Sequence, residues 1–174
     1  MKKYITSLII MLPMVGLQGL FAQESAIDKY FAKYRDNSQF TVVHIAPKMF
    51  ELMAEITKEN EDDFSDVLSN LRGLKILAAD SIKDGMALFN DASEKLVKKS
   101  FEELMYIHKE NETELRFYVQ EKNKKIRELL LLVGEPNEFV MISFVGDIDL
   151  KKIGKLSKSL DINGFNHLDQ LNNE

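Results

Sequence analysis

The chain has 174 residues, 45% of them hydrophobic and 29% charged, with a formal charge of −5 and no cysteine. That length can bury a core without metal or disulfide staples, and the composition excludes wholesale disorder and collagen-like or low-complexity architecture. The lack of cysteine excludes disulfides, thiolate nucleophiles, Cys-ligated zinc, iron–sulfur clusters and a lipid-modified N-terminal cysteine.

Met1-Lys2-Lys3 is a short positive start, and the apolar run from Ile5 to Val15 leads into Gly16, Gly19 and Ala22. This order of charge, apolar stretch and small residue is the layout of a secretory signal peptide over residues 1–22, with Gln23 as the new N-terminus. The competing reading is an uncleaved anchor. A spanning helix needs about 20 apolar residues, and this run is shorter and interrupted by Pro13. The chain is therefore expected to be exported, soluble, periplasmic or extracellular, and not a lipoprotein, with no stable membrane insertion after cleavage. Losing Lys2 and Lys3 leaves 21 basic residues against 28 acidic ones, a charge of −7. Such a chain repels nucleic acid and anionic lipid, so no nucleic-acid partner is expected.

Ile27, Tyr30, Phe31 and Tyr34 share one helical face, and Ser25 with Asp28 forms an acidic variant of the capping box. Phe40 to Ile45 is rich in β-branched residues and reads as a strand. Pro47 then starts a helix with Met49, Phe50, Met53 and Ile56 as its buried face. After the polar run Lys58 to Asp63, the residues Phe64, Val67, Leu68 and Leu71 return at helical spacing. Gly73 punctuates, and Leu74 to Ala79 reads as a second strand. The longest helix is expected from Ile82 to Ile107, on a stripe of Phe89, Leu96, Val97, Phe101, Leu104 and Met105.

Three strands follow, Leu115 to Glu121, Ile126 to Val133 and Phe139 to Val145, joined by turns at Lys122-Asn123-Lys124 and Gly134-Glu135-Pro136-Asn137. Asp149 can cap a last helix bearing Leu150, Ile153, Leu156 and Leu160. The expected fold is α+β in a single domain over residues 23–165: an antiparallel or mixed five-stranded sheet, ending in a three-strand meander, packed with four to five helices. Residues 166–174 form a polar tail.

Leu115, Phe117 and Val119 alternate with more polar neighbours, as one wet face requires. Leu129, Leu130, Leu131, Leu132 and Val133, like Phe139, Val140, Met141 and Ile142, put large apolar groups on both faces. Such strands must be covered twice. Different helices can cover the two faces; otherwise one face is a dimer seam, a partner-docking surface or an apolar pocket. Leu129, Leu130, Leu131, Leu132, Val140 and Ile142 are the interaction candidates on that second reading.

The chemistry-bearing residues are sparse. His44 reads as a packed strand histidine, His108 as the end of a long helix, and His167 lies in the tail. No two histidines have metal-pair spacing, and no nucleophile elbow or phosphate-cradling glycine loop occurs, so no catalytic, cofactor-binding or metal residues are assigned and no cofactor is expected. Glu59 to Asp63 with Asp66 lacks the spacing of a calcium loop and reads as a solvated connection. The basic groups around Lys95 and Lys125 read as solvated faces and turns. Asp147 and Asp149, in Gly146-Asp147-Ile148-Asp149, form an alternative acidic site, weighed against a reading in which Gly146 ends the strand, Asp149 caps the last helix and Ile148 packs inward.

Tyr30-Phe31 with Tyr34, the segment Phe40 to Phe50, Leu74-Lys75-Ile76-Leu77, and Phe144-Val145-Gly146-Asp147-Ile148-Asp149-Leu150 resemble the exported Bacteroidota proteins of the domain-of-unknown-function family DUF4252. The resemblance covers most of the mature chain, and its Gly-Asp-Ile-Asp-Leu close is the most specific part. It implies a signal-bearing envelope protein and carries over no catalytic residue. Genes for such proteins near sigma-factor genes imply a role in envelope sensing or regulation. The expected function is a non-enzymatic binding or protein-interaction module, its partner another protein or a second copy. The alternative is a hydrolase or carbohydrate-active enzyme using carboxylates near the Gly146–Asp149 turn.

Overall fold

The computed structural model describes residues 25–57, 62–97, 101–110 and 112–150, with 62–64 as backbone only. The expected leader, the side chains of the acidic run from Glu59 to Asp63, the last helix beyond Leu150 and the polar tail lie outside these residues.

Helix α1 (Ala26–Tyr34) begins with the expected cap. The Asp28 N–H donates to Ser25 Oγ at 3.0 Å and the Ser25 N–H donates to the Asp28 carboxylate at 3.2 Å, so two helix-end donors are satisfied reciprocally. Its four apolar residues at helical spacing are all buried. Strand β1 (Thr41–Ile45), helices α2 (Pro47–Thr57) and α3 (Asp62–Asn70), strand β2 (Leu71–Ala79) and helix α4 (Gly85–Val97) follow. The rest is strand: β3 (Glu102–His108), β4 (Glu114–Lys122), β5 (Lys125–Glu135) and β6 (Glu138–Ile148).

The architecture is α+β, with an open sheet ordered β1-β2-β6-β5-β4-β3 and every neighbouring pair antiparallel. Six strands are present where five were expected, and the meander has four. Helix α4 carries the chain from β2 to the far edge, and β3 to β6 then meander back until β6 meets β2. Residues 102–107 fall in the expected long helix, because Phe101, Leu104 and Met105 continue its spacing, but they belong to β3. The sheet overrides that spacing: Met105 lies opposite Phe117 and Ile107 opposite Leu115. A helix over residues 82–107 would also run about 39 Å, well beyond the width of six strands at about 4.8 Å apart.

Two helical layers cover the sheet. On one side Phe50 and Ala54 of α2 and Val67 and Leu68 of α3 pack with Phe117, Leu129, Leu131 and Phe144. On the other side α1 and α4 pack with Leu77, Leu130, Leu132 and Met141. The continuous apolar runs of β5 and β6 follow from this double cover.

Further expectations need correction. Met49 and Ile56 are 52% and 74% exposed, because α2 turns Phe50 and Ala54 inward instead. Strand β2 starts at Leu71, so Gly73 lies inside it, at a register shift. Strand β6 continues through Gly146 to Ile148, which is buried as expected. A Cβ on Gly146 would stand 2.3 Å from the Asn70 carbonyl oxygen, so this glycine permits close approach of the α3–β2 junction. His44 is exposed on β1, and His108 ends β3, 3.9 Å from a Glu114 carboxylate oxygen. The β4–β5 turn, Asn123-Lys124, has φ values of 56° and 60°. Positive φ at both central residues is the turn geometry that matches the twist of an antiparallel pair.

Candidate functional site

The Asp147–Asp149 segment lines a cleft of about 490 Å³. Its walls are the end of α3 at Val67 and Asn70, the start of β2 at Leu71, the β4–β5 turn at Lys124 and Lys125, and Asp147, Ile148 and Asp149. These segments converge because β2 and β5 both pair with β6 and the α3–β2 junction crosses at Gly146. The β5–β6 register shifts between Ile126 and Glu128, which places an extra β6 residue here.

The local electrostatics are those of a neutralised ion pair. Lys125 Nζ donates to Asp147 Oδ2 at 2.6 Å, and Arg127 Nη1 lies 3.9 Å from the same oxygen. The hydrogen bond from Lys125, then the charges of Lys125 and Arg127, hold the Asp147 carboxyl below its ordinary range. Asp147 is thus ionised throughout the physiological range and has no proton to give as a general acid. Asp149 is exposed at the rim.

The carboxyl with the opposite perturbation is elsewhere. Glu128, only 8% exposed, accepts a 2.6 Å hydrogen bond from the Ser143 hydroxyl, itself fully buried. Burial raises the Glu128 pKa, against the Ser143 hydrogen bond and the charge of Lys75, which lower it. Lys75 lies opposite Ser143 in the β2–β6 pairing and forms an ion pair with Asp28 at the start of α1. Sequence reasoning missed this polar inclusion; a Glu beginning an apolar strand run was its one visible sign.

The raised pKa sets a pH dependence. A carboxyl whose folded pKa exceeds its unfolded one contributes stability below the unfolded value, ordinarily 4.5, and loses it as pH rises through the folded value. Glu128→Gln keeps an acceptor for Ser143 and carries no charge. Its urea midpoint should exceed that of the native protein at pH 7–8, with the gap closing toward pH 4. A gap independent of pH would assign the effect to packing rather than ionisation.

The six apolar interaction candidates lie inside the protein. Leu129, Leu131 and Ile142 are buried on the α2–α3 side with Val140 partly buried beside them, and Leu130 and Leu132 are buried on the α1–α4 side. Both edges of β5 are hydrogen-bonded, to β4 and β6. Exposed large apolar side chains lie instead on the edge strand β3, at Leu104 and Tyr106, and on α2, where Met49, Leu52 and Ile56 are 52%, 44% and 74% exposed. The sign of this in the sequence was an apolar set on α2 too wide for one buried stripe: Met49, Phe50, Leu52, Met53 and Ile56. Among the described residues, no three His, Asp or Glu side chains gather as metal ligands would, and no helix is long and apolar enough to cross a membrane.

The family model described as domain of unknown function (DUF4252) matches residues 34–156, a span that contains all six strands, α2 to α4 and the cleft. The chain belongs to that family. No curated protein and no solved structure matches it significantly.

Proposed function

We propose that this member of the DUF4252 family is an exported, non-enzymatic protein-interaction module, acting in the periplasm or outside the cell in envelope sensing or regulation. Residues 1–22, with their charge, apolar run and small residues in signal-peptide order, support export. The observation that carries the interaction reading is the exposed apolar stripe of α2. Met49, Leu52 and Ile56 recur on one helix face pointing away from the core, next to the charged face of Lys48, Glu51 and Glu55. An apolar patch rimmed by charge is the usual composition of a protein-binding surface.

The carboxylate-enzyme alternative draws less support. Acid–base chemistry on paired carboxyls needs one of them protonated near the operating pH. Asp147 is held ionised, and Glu128 is buried without lining the cleft.

A photo-crosslinking amino acid at Leu52, in protein expressed in its own host, tests the interaction reading. The expected result is one discrete adduct recovered from the envelope fraction, with no such adduct when the same group replaces Lys109, away on the β3–β4 connection. Equal labelling at both positions, or none at Leu52, overturns it.

A further inference from the structure

We infer that the α2 stripe is a self-association seam, pairing with α2 of a second copy of this chain in antiparallel, two-fold fashion. This deepens the interaction reading and rests on it. Met49, Leu52 and Ile56 stand at i, i+3 and i+7, the narrow a/d spacing of a two-helix seam rather than the broader stripe that packs a helix onto a sheet. The broader stripe exists separately on the same helix, where Phe50 and Ala54 are buried and Met53 packs beside them. Among the described residues, α2 therefore carries one apolar surface that packs on the sheet and a second that stays exposed.

The flanking charges identify the occupant. In a two-fold antiparallel pair centred on Leu52, positions equally far before and after it face each other. Met49 then lies across from the turn bearing Glu55 and Ile56, and Lys48 reaches Glu55 of the other copy. The two-fold repeats this contact, so both copies place a lysine beside a glutamate along the seam. In a parallel pairing the two copies instead place Lys48 and Glu55 on opposite sides of the seam, and Lys48 faces position 53, a methionine, so no lysine meets a glutamate there. In the single chain Lys48 pairs with Glu51 at 2.9 Å, on side chains 71% and 50% exposed, while no cation forms an ion pair with Glu55 among the described residues. The surface is thus self-complementary in charge as well as in apolar spacing, which is what an isologous interface requires.

One short helix per copy covers less than the roughly 800 Å² per partner of a standard interface. The dimer is accordingly weak and concentration-dependent. Such an equilibrium suits a module whose assembly reports its own local concentration.

Sedimentation equilibrium of the exported protein, over micromolar to near-millimolar loading, is the test. The native protein should show a monomer–dimer equilibrium. Ile56→Asp should be folded by circular dichroism, since that side chain is exposed, and monomeric throughout. Lys48→Glu and Glu55→Lys should each weaken association by roughly tenfold or more, and the double reversal Lys48→Glu/Glu55→Lys should restore it. A monomer at every loading, a dimer that survives Ile56→Asp, or a double reversal no better than the singles overturns the seam. The Leu52 crosslink separates the two readings: a monomer that still crosslinks to a different protein retains the interaction function and loses self-association. Failure of both experiments removes both.

Discussion

Leu130→Asp and Leu131→Asp should each leave the chain unfolded, although the two side chains point to opposite faces of the sheet. Both leucines are fully buried, Leu130 against the α1–α4 layer and Leu131 against the α2–α3 layer. A carboxylate at either position would lose its hydration among packed apolar side chains, so it must protonate or force the chain open. Loss of the leucine packing adds about 2–5 kcal/mol on its own, the usual range for a buried leucine cut to alanine. That sum matches or exceeds the whole stability of an ordinary domain. Leu130→Ala and Leu131→Ala make the measurement quantitative, since each should remain folded with a urea midpoint well below the native one. If one aspartate variant folds and changes only its assembly state, the helical layer over that face opens in solution and a docking surface lies beneath it. Unfolding of both is the result consistent with the proposed contact surface on the outside of α2, where Met49, Leu52 and Ile56 lie.

The elements legible in the sequence are those whose signal is local. In α1, Ser25 and Asp28 sit three apart and four apolar residues share a face, so cap and core side can be read from ten residues. The turn at Asn123-Lys124 and the two-sided apolar runs of β5 and β6 are equally self-contained. Strand β3 is not. Leu104 and Met105 satisfy a helical period and a strand period alike, and only Phe117 and Leu115, reached through the later β3–β4 pairing, decide between them. On α2, periodicity shows that apolar residues outnumber one buried face but cannot say which go inward; that depends on where the sheet lies.

The candidate site divides in the same way. Asp147 and Asp149 were visible as a pair at a strand end, and the cleft forms there. Lys125, which settles the Asp147 charge, comes from 22 residues earlier, so the ionisation state could not be read from the motif. Glu128 and Ser143 likewise meet only because β5 and β6 pair.

The contact between α4 and β5 carries the second large expected effect. Phe89 is fully buried, and its ring lies over Gly134. Phe89→Ala should lower unfolding free energy by about 3–5 kcal/mol, through lost burial and the cavity left behind. It also removes the face on which the Arg116 guanidinium sits, 5.4 Å from the ring centre. Gly134→Ala acts from the other side of the contact. A Cβ there would stand 2.6 Å from Phe89 Cβ and 2.7 Å from Cγ, so α4 must move outward, at a cost of about 1–3 kcal/mol for overpacking. The double variant distinguishes this contact from two independent defects. An alanine at position 89 removes the ring but retains its own Cβ, so it relieves part of the clash and not all of it. The two losses should therefore fall short of additive by about 1 kcal/mol, within the range found for residues in direct contact. Full additivity in denaturant titrations would mean that α4 is seated elsewhere along β5. Because α4 spans the sheet between β2 and β3, that result would place the β3 edge differently as well.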